Sequence, residues 1–123
     1  MIDLEVLSAS EVQMPPFELK PTSTTSQREA TMPVAGLNTA HAGVWECEAG
    51  TFTADRAEMA EVCTIVSGRA IIVTEGSSDH HEVGPGSLLV LPRGWRGTWV
   101  VTEKIRKTYV LLSDEHVQPR SNS

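Results

Sequence analysis

Several features that would make a class obvious are scarce in this sequence. Positive charge is one of them: ten Lys and Arg stand against sixteen Asp and Glu, a formal net charge of −6. A nucleic-acid groove needs a clustered basic face, so no nucleic-acid partner is expected. Charge is spread rather than blocked, which leaves neither a charged tail nor a polybasic membrane patch. Long apolar runs are lacking as well. A membrane span needs about 20 consecutive apolar residues, whereas Leu88–Leu91 is a run of four. The opening stretch MIDLEVLSASEVQ carries acids where a signal peptide needs a basic flank. The expected location is therefore the cytoplasm. Only two cysteines occur, Cys47 and Cys63, and their spacing matches no CxxC metal or redox motif. In a reducing compartment they stay free thiols. Each is either a small buried hydrophobe or a thiol facing a ligand pocket.

What is present is strand chemistry. With 123 residues the chain holds one domain with a real core and no second one. Residues 13–39 are rich in Pro, Thr and Ser without a sustained period, the texture of an irregular N-terminal arm that packs on the body or on a partner subunit. A short strand over Ile2–Leu7 is expected before it. From Gly43 onward, strand-length runs alternate with turn signals: VWECEAG, EVCTIVSG, RAIIVTEG, HHEVGPG, SLLVLPRG, GTWVVTE and IRKTYVLLS. Gly68, Gly76, Gly84-Pro85-Gly86 and Pro92-Arg93-Gly94 fall where tight turns are needed. No capped helical period appears here. Such spacing predicts an all-β antiparallel sandwich or closed barrel over 40–112. Residues 113–123 form a polar tail.

One stretch carries more. In GPGSLLVLPRGWRGTW, Gly86, Pro92, Gly94 and Gly97 are spaced as in the second cupin motif, G-x-x-x-x-x-P-x-G-x-x-H, with Gly97 at the histidine. Upstream, Gly50, Glu61 and Gly68 resemble the first motif, while Asp55, Arg56, Ala57 and Glu58 stand where that motif has paired histidines. Within the superfamily, GVWECEAGTF, EVCTIVSGRAIIVTEG, PRGWRGTW and IRKTY are similar to the cupin domains related to ureidoglycine aminohydrolase. The resemblance implies a jelly-roll barrel with its site inside, commonly a homodimer. It implies no single activity, because one fold hosts many functions.

Alternation along strands then distributes the side chains. If Glu61 points inward, as its motif slot implies, so do Cys63 and Ile65. If Gly97 does, Trp99 and Val101 follow, and the missing side chain leaves space beside Trp99 for the indole or a ligand. On Ile105–Leu112 the more apolar set is Lys107, Tyr109 and Leu111, placed inside; in GVWEC it is Trp45 and Cys47. Trp45, Trp99 and Tyr109 either pack the core or wall a pocket, and Trp95 lies in the turn, where it would cover a barrel mouth. Lys107 inside a barrel needs a carboxylate partner, with Glu61 the natural one, or else it reaches the rim. Asp55 and Arg56 read as a solvated turn.

Metal ligands run short. A catalytic site typically gathers three protein ligands. His80 and His81 are adjacent, so they face opposite ways on a strand, and His116 is in the tail; only His41 could approach a barrel mouth. The expected protein is thus a cupin that binds a small polar metabolite through Trp45, Glu61, Cys63, Gly97, Trp99, Lys107 and Tyr109, with no cofactor and no tightly bound metal. One rival is a ureidoglycine aminohydrolase-like enzyme using Glu61 as general base; another is a structural or regulatory barrel with a filled interior. Purified protein should retain far less than stoichiometric transition metal through a chelator wash, as read by elemental mass spectrometry. Stoichiometric zinc, manganese, iron or nickel would reverse this and favour the hydrolase.

Overall fold

The computed structural model describes residues 4–34 and 37–112. The tail 113–123, with His116, and the first residues of the expected Ile2–Leu7 strand lie outside the described residues. The described chain is all β: β1 (Glu18–Leu19), β2 (Arg28–Pro33), β3 (Ala40–Cys47), β4 (Gly50–Asp55), β5 (Ala60–Thr74), β6 (His80–Val83), β7 (Leu88–Leu91) and β8 (Arg96–Leu112). None of it forms a helix long and apolar enough to cross a membrane.

All pairings are antiparallel, in the order β1-β2-β3-β8-β5-β6, with β4 also on β8 and β7 also on β5. Two long strands hold the others. The first half of β5 pairs with the second half of β8, Glu61 opposite Leu111 and Cys63 opposite Tyr109; the remaining halves pair Ile72 with Trp99. Register shifts between Ile65 and Ala70 bend the ladder where the sheet turns its corner. EVCTIVSG and RAIIVTEG are therefore one bent strand, not two strands around a turn, and the same holds for GTWVVTE and IRKTYVLLS. Gly68 makes the bend possible. Its φ of +86° is left-handed, and a Cβ there would collide with the Lys104 carbonyl oxygen.

The bend lays the two halves of the sheet face to face, and the inward residues meet as one core. Trp99, Cys63, Ile65, Ile105, Val101 and Cys47 are each at most 2% exposed. Trp45 from one half meets Phe52 and Trp99 from the other edge-on at 5.8 and 6.2 Å, and Phe52 stacks on Trp99 at 5.7 Å. The inward sets expected on β3, β5 and β8 are the ones observed. Val44, assigned to the outer face, is also buried. It lines a groove with Leu7, Ala9 and Val110, so the N-terminal segment shields that outer face.

The arm is more ordered than its composition suggests. Leu4–Leu7 is not a strand, but β1 and β2 lie inside the segment expected to be irregular, and β2 extends the sheet by pairing with β3. Gln27, 1% exposed, ties it down: its Oε1 accepts from Ser23 Oγ at 2.8 Å and its Nε2 donates to the Glu48 carbonyl at 2.8 Å. Flanking Pro and Thr residues masked the alternation of REATMP.

Gly97 does not open a space beside Trp99. A Cβ at Gly97 would collide with the Val73 carbonyl oxygen and lie 2.5 Å from the Trp95 ring. Trp95, expected over a barrel mouth, folds back across the glycine, packs partly buried against the core and donates from Nε1 to Thr74 Oγ1 at 2.9 Å. The volume released by the missing histidine is filled by indole. Gly97→Ala should cost about 1–3 kcal/mol through overpacking and change tryptophan emission, both measurable in a urea titration. Unaltered stability and emission would contradict this packing.

Candidate functional site

A cavity of about 380 Å³ opens into the barrel interior, within the size range of small-molecule sites. Trp45, Phe52 and Trp99 line it together with Tyr109 and Leu111 from one half of the sheet and Ala54 from the other, and the exposed Thr31 and Thr53 stand at its edge. Its polar groups come from four elements. Glu61 stands on β5 and Lys107 on β8, both under 10% exposed. Arg56 follows β4, and Lys20 follows β1.

Glu61 and Lys107 form the centre. Strand alternation aims both inward, and Lys107 Nζ lies 2.7 Å from Glu61 Oε2. This is the partner a buried lysine requires. The ammonium also sits 4.5 Å from the Trp45 ring and 4.6 Å from that of Trp99, within cation–π range of both. Arg56 approaches the other Glu61 oxygen, Nη1 to Oε1 at 3.5 Å, longer than a good hydrogen bond. Its Nε is buried without an acceptor among the described residues. Lys20 lies 4.4 Å from the Phe52 ring and is neutralised by Glu29 at 2.9 Å, which also accepts from Trp45 Nε1 at 2.9 Å.

Of the residues expected at the site, Trp45, Glu61, Trp99, Lys107 and Tyr109 converge on the cavity. Cys63 and Gly97 do not. Cys63 points inward but is covered by the core, at 1% exposure. Burial pushes its thiol up to about 12, with Lys107 lowering and Glu61 raising it; burial likewise pushes Cys47 up to about 11. Neither thiol is a ready nucleophile. The Tyr109 hydroxyl is also raised, first by burial and then by the Glu61 charge.

Three contributors were not expected. Phe52 was legible as the one large apolar side chain of GTFTAD, in step with Gly50 and Ala54. Arg56 was read as solvated, yet its backbone is clamped to the 92–97 turn: its N–H donates to the Trp95 carbonyl at 2.8 Å and its carbonyl accepts from Gly94 at 2.8 Å. That clamp turns the side chain over the cavity. Lys20 carries no local signal, because β1–β2 pairing brings it in from the arm.

The donor set does not fit a metal. Glu61 is engaged by two cations, and the other lining carboxylate, Asp55, pairs with Arg96 at 3.5 Å. His41 is exposed and does not line the cavity, as His80 and His81 do not. Among the described residues no three His, Cys, Asp or Glu side chains come together.

A model of the EutQ-like cupin domain matches residues 34–109. No curated protein matches the sequence. Among solved structures, the chain is similar to the EutQ protein of Clostridium difficile, at 20% identity over 79% of this chain and 71% of that one, with a TM-score of 0.65. The polyketide cyclase RemF from Streptomyces resistomycificus shares 15% identity over 95% of this chain and 89% of its own, with a TM-score of 0.69. The cupin domain of Schizosaccharomyces pombe Cnp3 shares 14% identity over 87% and 72%, with a TM-score of 0.64. At these identities the likeness carries the fold alone, and the named proteins differ widely in role.

Proposed function

The chain belongs to the EutQ-like cupin domain family, and from that premise we propose that its barrel binds a small polar metabolite without a tightly held metal. The observation that carries this reading is the open cavity over a buried Glu61–Lys107 pair. A barrel needed only as scaffold would bury apolar side chains there, since isosteric apolar packing is often as stable as a buried ion pair. Here charged groups instead converge on a cavity with aromatic and aliphatic walls, the usual make-up of a ligand site. Glu61 offers an acceptor, Lys107 and Arg56 offer donors, and the apolar wall takes the body of the ligand.

A metabolite library of acids, amides and polyols read by thermal shift tests this, because a ligand that binds only the folded state raises its melting point. Thr31 is exposed at the cavity rim, so Thr31→Trp should leave the unliganded melting point within about 2 °C, as a surface change does. It should also abolish the shift caused by any hit. Hits that persist in Thr31→Trp would place binding elsewhere, and a library without hits would favour the filled structural barrel. Release of ammonia from an amide hit would favour hydrolysis of the ureidoglycine aminohydrolase type, with Glu61 as base.

A further inference from the structure

We infer that the ligand of this site is a small monoanionic carboxylic acid whose carboxylate is received by Arg56. The inference rests on the reading of the barrel as a metabolite site and adds the chemical class. Its first support is a charge count. Three cations and two carboxylates line the cavity: Lys20, Arg56 and Lys107 against Asp55 and Glu61. Lys20 is balanced by Glu29 just behind it, and Asp55 by Arg96 outside. What remains is Glu61 facing both Lys107 and Arg56. Two positive charges meet one negative charge in a partly desolvated place, so the cluster is one anion short.

The second support is independent of the count. Arg56 is the loosely held member, with Nη1 at 3.5 Å from Glu61 and a buried Nε that donates to nothing among the described residues. A guanidinium presents its donors as a planar fork matched to the two oxygens of a carboxylate. Such a group set on Arg56, with a small turn of the guanidinium toward the cavity, gives the buried Nε its acceptor and cancels the excess charge together.

The same geometry rejects other classes. A cationic ligand would find the aromatic faces taken, since Lys107 covers Trp45 and Trp99 and Lys20 covers Phe52. A dianion such as phosphate would bring a second negative charge against Glu61 with nothing left to balance it. Beyond the carboxylate, Tyr109, Leu111 and Ala54 offer an apolar surface for a short aliphatic or aromatic body.

Calorimetric titration of the full chain with propionate, benzoate, their neutral amides and inorganic phosphate tests the class. The acids should bind, with the amides and phosphate at least tenfold weaker. Arg56→Gln should weaken the acids tenfold or more, while Arg56→Lys, which keeps the charge without the fork, should weaken them less. Glu61→Gln, which leaves two cations unopposed, should tighten both acids severalfold, and adding Arg56→Gln to it should remove most of that gain. Circular dichroism confirms the fold of each variant. Amides or phosphate binding as well as the acids, or acids indifferent to Arg56→Gln, would overturn the carboxylate assignment and leave the metabolite reading standing. Acids that fail to bind while a neutral library hit does so in a Thr31→Trp-sensitive way would overturn it equally. Acid binding that survives Thr31→Trp would sink both.

Discussion

Every strand of the barrel body is fixed by the ladder between β5 and β8. β3 and β4 hang on β8, and β6 and β7 hang on β5. Because the ladder runs through a corner, the two strands supply both facing layers, and an inward side chain on one half is aimed at the inward side chains of the other. Glu61 from the first half of β5 and Trp99 from the first half of β8 thus reach the same interior, although they pair with different segments. A slip of β5 by one residue in this ladder would turn Glu61 and Cys63 outward, away from Lys107 and the aromatic cluster.

Within that frame the ionic centre is expensive, and its surroundings show how the cost is offset. Lys107 has a carboxylate at 2.7 Å and two indole faces around its ammonium. It provides, from the chain itself, the positive charge that a bound cation would bring to Glu61. Glu61 is in turn shared with Arg56, so two cations meet one carboxylate there. The thiol beside this centre, Cys63, is kept neutral chiefly by burial, and it hydrogen-bonds Glu61.

The N-terminal segment belongs to the site as much as to the scaffold. Buried Gln27 and the β2–β3 pairing anchor it, and this places Lys20 over Phe52. On the outer side, Arg106 donates to the Ala9 carbonyl at 2.9 Å while Lys104 lies 4.8 Å from the Phe17 ring. The arm therefore shields one face of the barrel and contributes to the rim of its interior.

The sequence alone determined what depends on local pattern. Alternation with glycine punctuation specified an all-β chain. Period two placed Trp45, Glu61, Trp99, Lys107 and Tyr109 inward once its phase was set, by the cupin-motif slots of Glu61 and Gly97 and by the more apolar parity on the other two runs, since pleating turns successive side chains to opposite faces. The physical cost of a buried lysine named Glu61 as the natural partner of Lys107 and left a rim position as the alternative; the 2.7 Å contact decided between them. Only the tertiary structure decided what depends on contacts between segments distant along the chain. Whether Gly68 turns or bends a strand depends on the continuity of β8 beside it. Whether Gly97 leaves a hole depends on where Trp95 goes, and Trp95 is held by Thr74 from another strand. Arg56 is drawn inward by backbone bonds to the 92–97 turn, and Lys20 by pairing across β1 and β2. No local period records these placements, because their causes are hydrogen bonds and close approaches that exist only once the barrel has closed.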